Sequence, residues 1–275
     1  MIYEDVIKKI EEIAPPDLAP PWDNSGVQIH TGRPQIEKIL VCLEINGEII
    51  EEAKENGVDL IVSHHPLIFH PLKSIEPWGY SDSPPAQEKV GAQVTAKYVI
   101  DLIKADISVY SAHISFDRAP AGNNAHLARL LDLRDVRSPE QGEDEAVGII
   151  GDFAQPILPE EVLDRLSKVQ GISREEMRIV GAPDRLIRTV ALCTGGGEDF
   201  LPLAIAEGCD LFITGDVRFH QAQLAHAAGI ALIDAGHFGT EKIFEKNLAG
   251  QLEESLGGDV EVMVSRVWGD PFAKG

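Results

Sequence analysis

The sequence predicts an α/β protein made of two duplicated α/β halves with mixed or parallel sheets, and three observations predict it. First, the apolar runs KILVCLEI and VDLIVSH flank a segment with helical spacing, a strand–helix–strand unit of about thirty residues. Second, residues 190–214, VALCTGGGEDFLPLAIAEGCDLFIT, repeat that unit at a constant offset of 151 (193 − 42), with Cys42 on Cys193, Gly57 on Gly208, Asp59 on Asp210, Leu60 on Leu211 and Ser63 on Thr214. Third, YSAHISFD at 110–117 is echoed by DAGHFGTE at 234–241, which aligns His113 with His237 and Asp117 with Glu241 at an offset of 124 (237 − 113). Two echoes in the same order indicate a duplicated half, and two copies are too few for a solenoid.

The elements follow in chain order. MIYEDVIKKIEEI places Val6, Ile10 and Ile13 at i, i+4 and i+7, an amphipathic helix with charges on its other face. It lacks the apolar stretch and cleavage site of a signal peptide. APPDLAPPWDNSGVQI reads as a proline-rich loop. KILVCLEI is short, apolar and suited to a buried strand. In NGEIIEEAKEN, Ile49, Ile50 and Ala53 share one side of a helix that Gly57 stops. VDLIVSH is the second buried strand, which makes a parallel pair with a right-handed crossover. ISVYSAH is strand-like. RSPEQGEDEA, residues 137–146, is polar and acidic and reads as an exposed loop or linker. The stretch to residue 188 carries a helix at PEEVLDRLSKV and strand-like segments at 146–154 and 177–181. IALIDAGHFGTEKIFEKNLA is a buried strand leading into a helix. The predicted segments are 1–136, a first half with the His-His and His-Asp motifs; 137–188, a linker and α+β excursion; and 189–275, a second half with the His-x-x-x-Glu motif. The expected site lies in the groove between the halves.

Composition narrows the function classes. With 24 Lys and Arg against 45 Asp and Glu, the formal charge is −21, which excludes a broad nucleic-acid surface. No apolar run approaches the 18 or so residues of a membrane span. Cys42, Cys193 and Cys209 form neither a paired framework nor a CxxC motif, which fits a reducing cytoplasm and excludes a thiolate metal site.

Histidine placement carries the chemistry. His64 and His65 end the strand VDLIVS just before Pro66, where the turning chain lets both rings converge, and functional side chains in α/β folds favour carboxyl ends of strands. Two polar residues capping a strand is the bland alternative. His113 and Asp117 lie at or beyond the end of ISVYSAH, and taken alone they read as a hydrogen-bonded loop pair. His237 and Glu241 are four apart where a strand passes into a helix, a compact N/O metal clip if helical geometry begins at His237. A carboxylate favoured by the helix dipole is the competing explanation. His64, His65, Asp117, His237 and Glu241 are too many ligands for one open catalytic zinc, which takes about three protein ligands. They suit two divalent cations per chain, Zn, Mn or Fe, sharing bridging carboxylates. Asp216 and His220, in GDVRFH, are candidates for supporting or substrate contacts. CTGGGED is glycine-rich between strand and helix but matches neither phosphate-loop pattern. His30, His70, His126 and His226 read as ordinary polar residues.

WDNSGVQI, DLIVSHHPLIFHPLKSI, SAHISFDRAPAGNN, LFITGDVRFHQA and LIDAGHFGTEKI resemble the GTP cyclohydrolase I type 2 homologues, the Nif-three-like dinuclear-metal family, from about residue 15 to residue 248. The resemblance implies a duplicated α/β fold, a dinuclear site with the same five ligands, a homohexamer and opening of a guanine ring by water. The chain departs from the family pattern at Glu44, where Asp is common, at Ile114 and Phe116 within His-Thr-Asn-Leu-Asp, and at Asp216, where Glu is common.

The expected function is a dinuclear-metal-dependent hydrolase acting on a small, phosphorylated or nucleotide-like substrate. Two cations facing two carboxylates and a hydroxide leave a local charge of about +1, which favours an anionic ligand. His113 is the expected proton carrier, since five ligands already supply about three contacts to each metal. The alternative is a non-enzymatic metal-binding or regulatory interaction protein.

Overall fold

A computed structural model describes residues 1–76, 90–139, 147–181 and 184–272. Residues 140–146, most of the expected acidic linker, lie outside the described residues. In chain order the elements are α1 (Tyr3–Ile13), β1 (Gly26–Ile29), β2 (Lys38–Cys42), α2 (Gly47–Glu55), β3 (Leu60–Ser63), α3 (Val90–Lys104), β4 (Ser108–Ser111), α4 (Ile114–Asp117) and α5 (Asn123–Leu130). Then follow β5 (Leu133–Arg137), β6 (Ile149–Ile157), α6 (Pro159–Leu166), β7 (Arg178–Val180), β8 (Ile187–Leu192), α7 (Leu201–Ala206), β9 (Leu211–Thr214), α8 (Phe219–Ala228), β10 (Ala231–Asp234), α9 (His237–Glu241), α10 (Ile243–Leu256) and β11 (Glu261–Val264).

The chain forms two compact units, Met1–Phe116 with Leu248–Gly275, and Asp117–Asn247. This division differs from the three segments expected from sequence. Residues 117–136 and the excursion 137–188 fall in the second unit, and the end of the chain returns to the first. The return has a physical cause: β11 pairs in parallel with β2, Glu261 opposite Lys38 through Val264 opposite Val41.

In the first unit the sheet order is β1-β4-β3-β2-β11. Strands β2, β3 and β4 are parallel, as the crossover pattern requires, and β1 is antiparallel at the edge. Asn46 caps α2 by accepting from the Ile49 N–H at 3.0 Å, and Ile49, Ile50 and Ala53 pack with Leu40, Ile61 and Val109. In the second unit the order is β5-β6-β8-β9-β10-β7. Strands β8, β9 and β10 are parallel, and β7 is antiparallel on β10. Leu192, Leu211, Ile213 and Ile233 form its core with α5 and α6 residues such as Leu127 and Val162.

The duplication holds at residue level. In each unit an antiparallel edge strand precedes or abuts three parallel strands in the same spatial order. Asp59 Oδ2 accepts the N–H groups of Glu37 and Lys38 at 2.8 and 3.0 Å, and Asp210 Oδ2 accepts those of Arg188 and Thr189 at 3.0 Å each. Gly57 and Gly208 turn out of their helices at φ +64 and +69. Among the described residues no helix is long and apolar enough to cross a membrane.

Candidate metal centre

The first unit assembles a histidine triad. The β3 ladder continues past Ser63: the His64 N–H reaches Cys42 O at 3.1 Å and the His65 N–H reaches Leu43 O at 3.0 Å. Ser63 Oγ donates to His65 O at 2.9 Å, which fixes the turn ahead of Pro66. The rings of His64 and His65 lie 5.1 Å apart, and that of His113 lies 5.2 and 5.8 Å from them. One ring nitrogen from each of the three falls within 4.8 Å of the others. His64 is fully buried.

Each ring is held by an oxygen that only accepts. His64 Nδ1 lies 2.9 Å from Ala112 O, His65 Nδ1 2.8 Å from Glu44 Oε2, and His113 Nδ1 2.6 Å from Asp23 Oδ1. A carbonyl or carboxylate takes a proton from Nδ1, so the neutral ring turns the Nε2 lone pair outward, the tautomer that metal-ligating histidines adopt. Asp23 itself has no exposed side-chain surface and accepts from Ser25 Oγ at 2.5 Å and Ser25 N at 3.2 Å. Burial pushes its carboxyl pKa up, but the hydrogen bonds from His113 and Ser25 outweigh that and hold it below the ordinary value.

The second unit builds the complementary N/O set. At the end of β10, Asp234 Oδ1 accepts the Gly236 N–H at 3.1 Å and Oδ2 accepts the Val217 N–H at 3.2 Å and pairs with Arg178. Gly236, at φ +85, then turns the chain into α9, which begins at His237. His237 and Glu241 therefore share a helix face, with His237 Nε2 2.9 Å from Glu241 Oε2. Donor atoms each about 2.0–2.2 Å from one cation accommodate that separation. His237 Nδ1 meets Asp216 Oδ2 at 2.8 Å, so the pattern of the first unit recurs. The Asp117 carboxylate accepts from Asn123 Nδ2 at 3.1 Å and Thr194 Oγ1 at 3.5 Å. Asp117 and Glu241 are buried, 4% and 3% exposed, and buried carboxylates require compensating positive charge. Imidazole and carboxylate without thiolate suit Zn, Mn or Fe. The residues present fit divalent cations on these grounds.

The glycine-rich run after β8 makes room for Glu241. A Cβ on Gly195, at φ +68, would collide with Glu241 Oε1, and one on Gly215 would collide with the His237 N–H. Gly196 lines a cavity of about 520 Å³ with Arg178, Glu198, Asp216 and Arg218. Sequence reasoning placed the six candidate residues at strand ends and singled out Asp216, but it missed the partners Asp23 and Glu44. Asp23 sat in view inside WDNSGVQI, and Glu44 was legible only as an acid replacing an acid. His220 is exposed on α8 beside Phe219. Cys42, Cys193 and Cys209 are buried and form no disulfide among the described residues, and burial pushes the Cys209 thiol up to about 11.

Residues 1–271 match the model of the family described as Duf34/NIF3 (NGG1p interacting factor 3). The chain is 32% identical over 276 residues to a GTP cyclohydrolase 1 type 2 homolog of Clostridium perfringens, covering 99% of each chain. It is 32% identical over 243 residues to the GTP cyclohydrolase 1 type 2 of Helicobacter pylori, covering 88% of each. Its fold is similar to a Bacillus cereus protein related to NIF3, with a TM-score of 0.85 at 22% identity over 100% of this chain and 99% of that one. It is also similar to reduced HcgD from Methanocaldococcus jannaschii, with a TM-score of 0.80 at 27% identity over 96% and 97%. With a family match over nearly its whole length and relatives above 30% identity, the chain belongs to the Duf34/NIF3 family.

Proposed function

We propose that the protein is a metal-dependent hydrolase of a small anionic, phosphorylated or nucleotide-like substrate. Two divalent cations are its cofactors, with His64 and His65 of the first unit and Asp117, His237 and Glu241 of the second as ligands. The observation that carries this reading is the shared geometry of the histidines: each of the four site rings has Nδ1 tied to an accepting oxygen, which directs Nε2 toward a ligand. Divalent cations supply Lewis acidity and lower the pKa of water there. The chain's own residues do the rest. Asp23 fixes the tautomer of His113, whose Nε2 takes up and returns the proton of the attacking water. Arg178 and Arg218 line the cavity beside Asp216, but paired with Asp234 and Glu198 and facing Asp199 they leave it no net positive charge, so the attraction for an anionic substrate rests with the cations. The names of the relatives in C. perfringens and H. pylori support a nucleotide as the substrate class. The resemblance of its motifs supports a homohexamer, and its cysteine usage supports a cytoplasmic location.

The test is elemental analysis of purified protein, followed by a screen of nucleotides and phosphoesters with metal added back. About two cations per chain and metal-dependent turnover are expected. Unchanged stoichiometry in the His64→Ala/Glu241→Ala double variant would sink the ligand assignment. The clustering of His113 with His64 and His65 favours a second reading, in which His113 is itself a ligand. Under the proton-carrier reading His113→Ala keeps both cations and loses activity by roughly a hundredfold or more. Loss of a cation in that variant would establish ligation instead.

A further inference from the structure

A second cavity, of about 480 Å³, lies in the second unit among α5, α6 and α10, and none of the proposed metal ligands lines it. Its charge runs against that of the molecule. Arg165, Lys168 and Lys246 line it against the single lining carboxylate Asp132, a balance of 3 − 1 = +2 in a chain whose formal charge is −21. The three cations are not equivalent. Arg165 is already engaged, donating to Leu131 O at 2.7 Å and pairing with Glu161 at 2.8 Å. Among the described residues neither Lys168 nor Lys246 has a carboxylate partner, and both are exposed.

His126 adds a neutral donor. Its Nδ1 lies 3.2 Å from Arg129 Nη2, and a guanidinium only donates, so Nδ1 accepts and the proton of the neutral ring sits on Nε2. Burial and then the Arg129 charge hold its pKa below the ordinary value, which keeps that tautomer neutral. The remaining lining is the polar Gln170 and an apolar set, Leu130, Val169 and Ile243.

We propose that this cavity binds a small amphipathic anion, with a phosphate or carboxylate head between Lys168 and Lys246 and an apolar body against Leu130, Val169 and Ile243. The volume lies within the range of small-ligand sites, about 300–1,000 Å³. The overall negative charge disfavours a polyanion such as nucleic acid, which needs a broad cationic face. The proposal is independent of the hydrolase reading, because it uses none of that site's residues.

The experiment is calorimetric titration of the full chain, stripped of metal, with phenyl phosphate, benzoate and inorganic phosphate. Both aromatic anions should bind saturably, and phenyl phosphate should bind more tightly than inorganic phosphate, which lacks the apolar body. If only one aromatic anion binds, that one identifies the head group. Lys168→Glu/Lys246→Glu should weaken binding tenfold or more, and Leu130→Gln, at a position 48% exposed and so safe for folding, should weaken the aromatic anions but not phosphate. Binding should survive in His64→Ala/Glu241→Ala. No saturable binding up to the order of 10 mM, affinity unchanged in the lysine variant, or loss of binding in the metal-ligand variant would each overturn the proposal.

Discussion

A side chain at position 195 meets two separate costs. Its backbone, at φ +68, lies in the left-handed region, and its Cβ would collide with Glu241 Oε1. Position 208 has nearly the same backbone, φ +69, but nothing within 4 Å of a Cβ. Alanine at 208 therefore reports the backbone cost alone, about 1–2 kcal/mol. Alanine at 195 adds displacement of a proposed ligand. The expected outcome is a modest fall in Tm with metal retained for Gly208→Ala, and a larger fall with cation loss for Gly195→Ala. Thermal unfolding and elemental analysis of the same samples measure both. Equal metal content in the two variants would show that Glu241 is not held by this contact. Site histidines were legible because His64-His65 and His237-x-x-x-Glu241 are local patterns. Their partners were not, because Asp23 reaches His113 across 90 residues and Glu44 reaches His65 across 21, and no local spacing encodes such pairs.

At the scale of elements, the duplication places one carboxylate at the same structural point of each unit. Asp59 holds two N–H groups at the start of β2, and Asp210 holds two at the start of β8. Hydrogen bonds to a charged acceptor are worth about 1.5–3 kcal/mol each, so losing two should destabilise Asp59→Ala and Asp210→Ala by about 3–6 kcal/mol each. Hydrogen exchange separates the effects. Asp59→Ala should expose amides of β2 and β3 first, and Asp210→Ala those of β8 and β9. Identical exchange maps would contradict independent equivalents. The parallel strands were legible from sequence because they are buried on both faces and read as continuous apolar runs. Strand β1 was not: GVQI has one buried residue and follows prolines, so it carries neither a run nor an alternation. Strand β11 was hidden for a different reason, since its place beside β2 is fixed by pairing across more than two hundred residues.

For the whole molecule, charge and the proposed assembly pull in opposite directions. Six chains of formal charge −21 carry 6 × −21 = −126. Such self-repulsion opposes association and is weakened by salt, with a screening length of about 30 Å at 0.01 M falling to about 8 Å at 0.15 M. What favours association is apolar surface, and single chains expose Trp22, Phe219, Trp268 and Phe272, each more than half exposed. Burial of aromatic surface is weakly affected by salt over this range, whereas repulsion is not. The proposed hexamer should therefore dissociate more readily at low ionic strength and reassociate when salt is restored. Light scattering at about 0.01 M and 0.15 M salt, at one micromolar-range protein concentration, measures this directly. A monomer at both salt concentrations would refute the hexamer. A hexamer held more tightly at low salt would show that complementary charge pairs, rather than apolar contacts working against repulsion, hold the copies together.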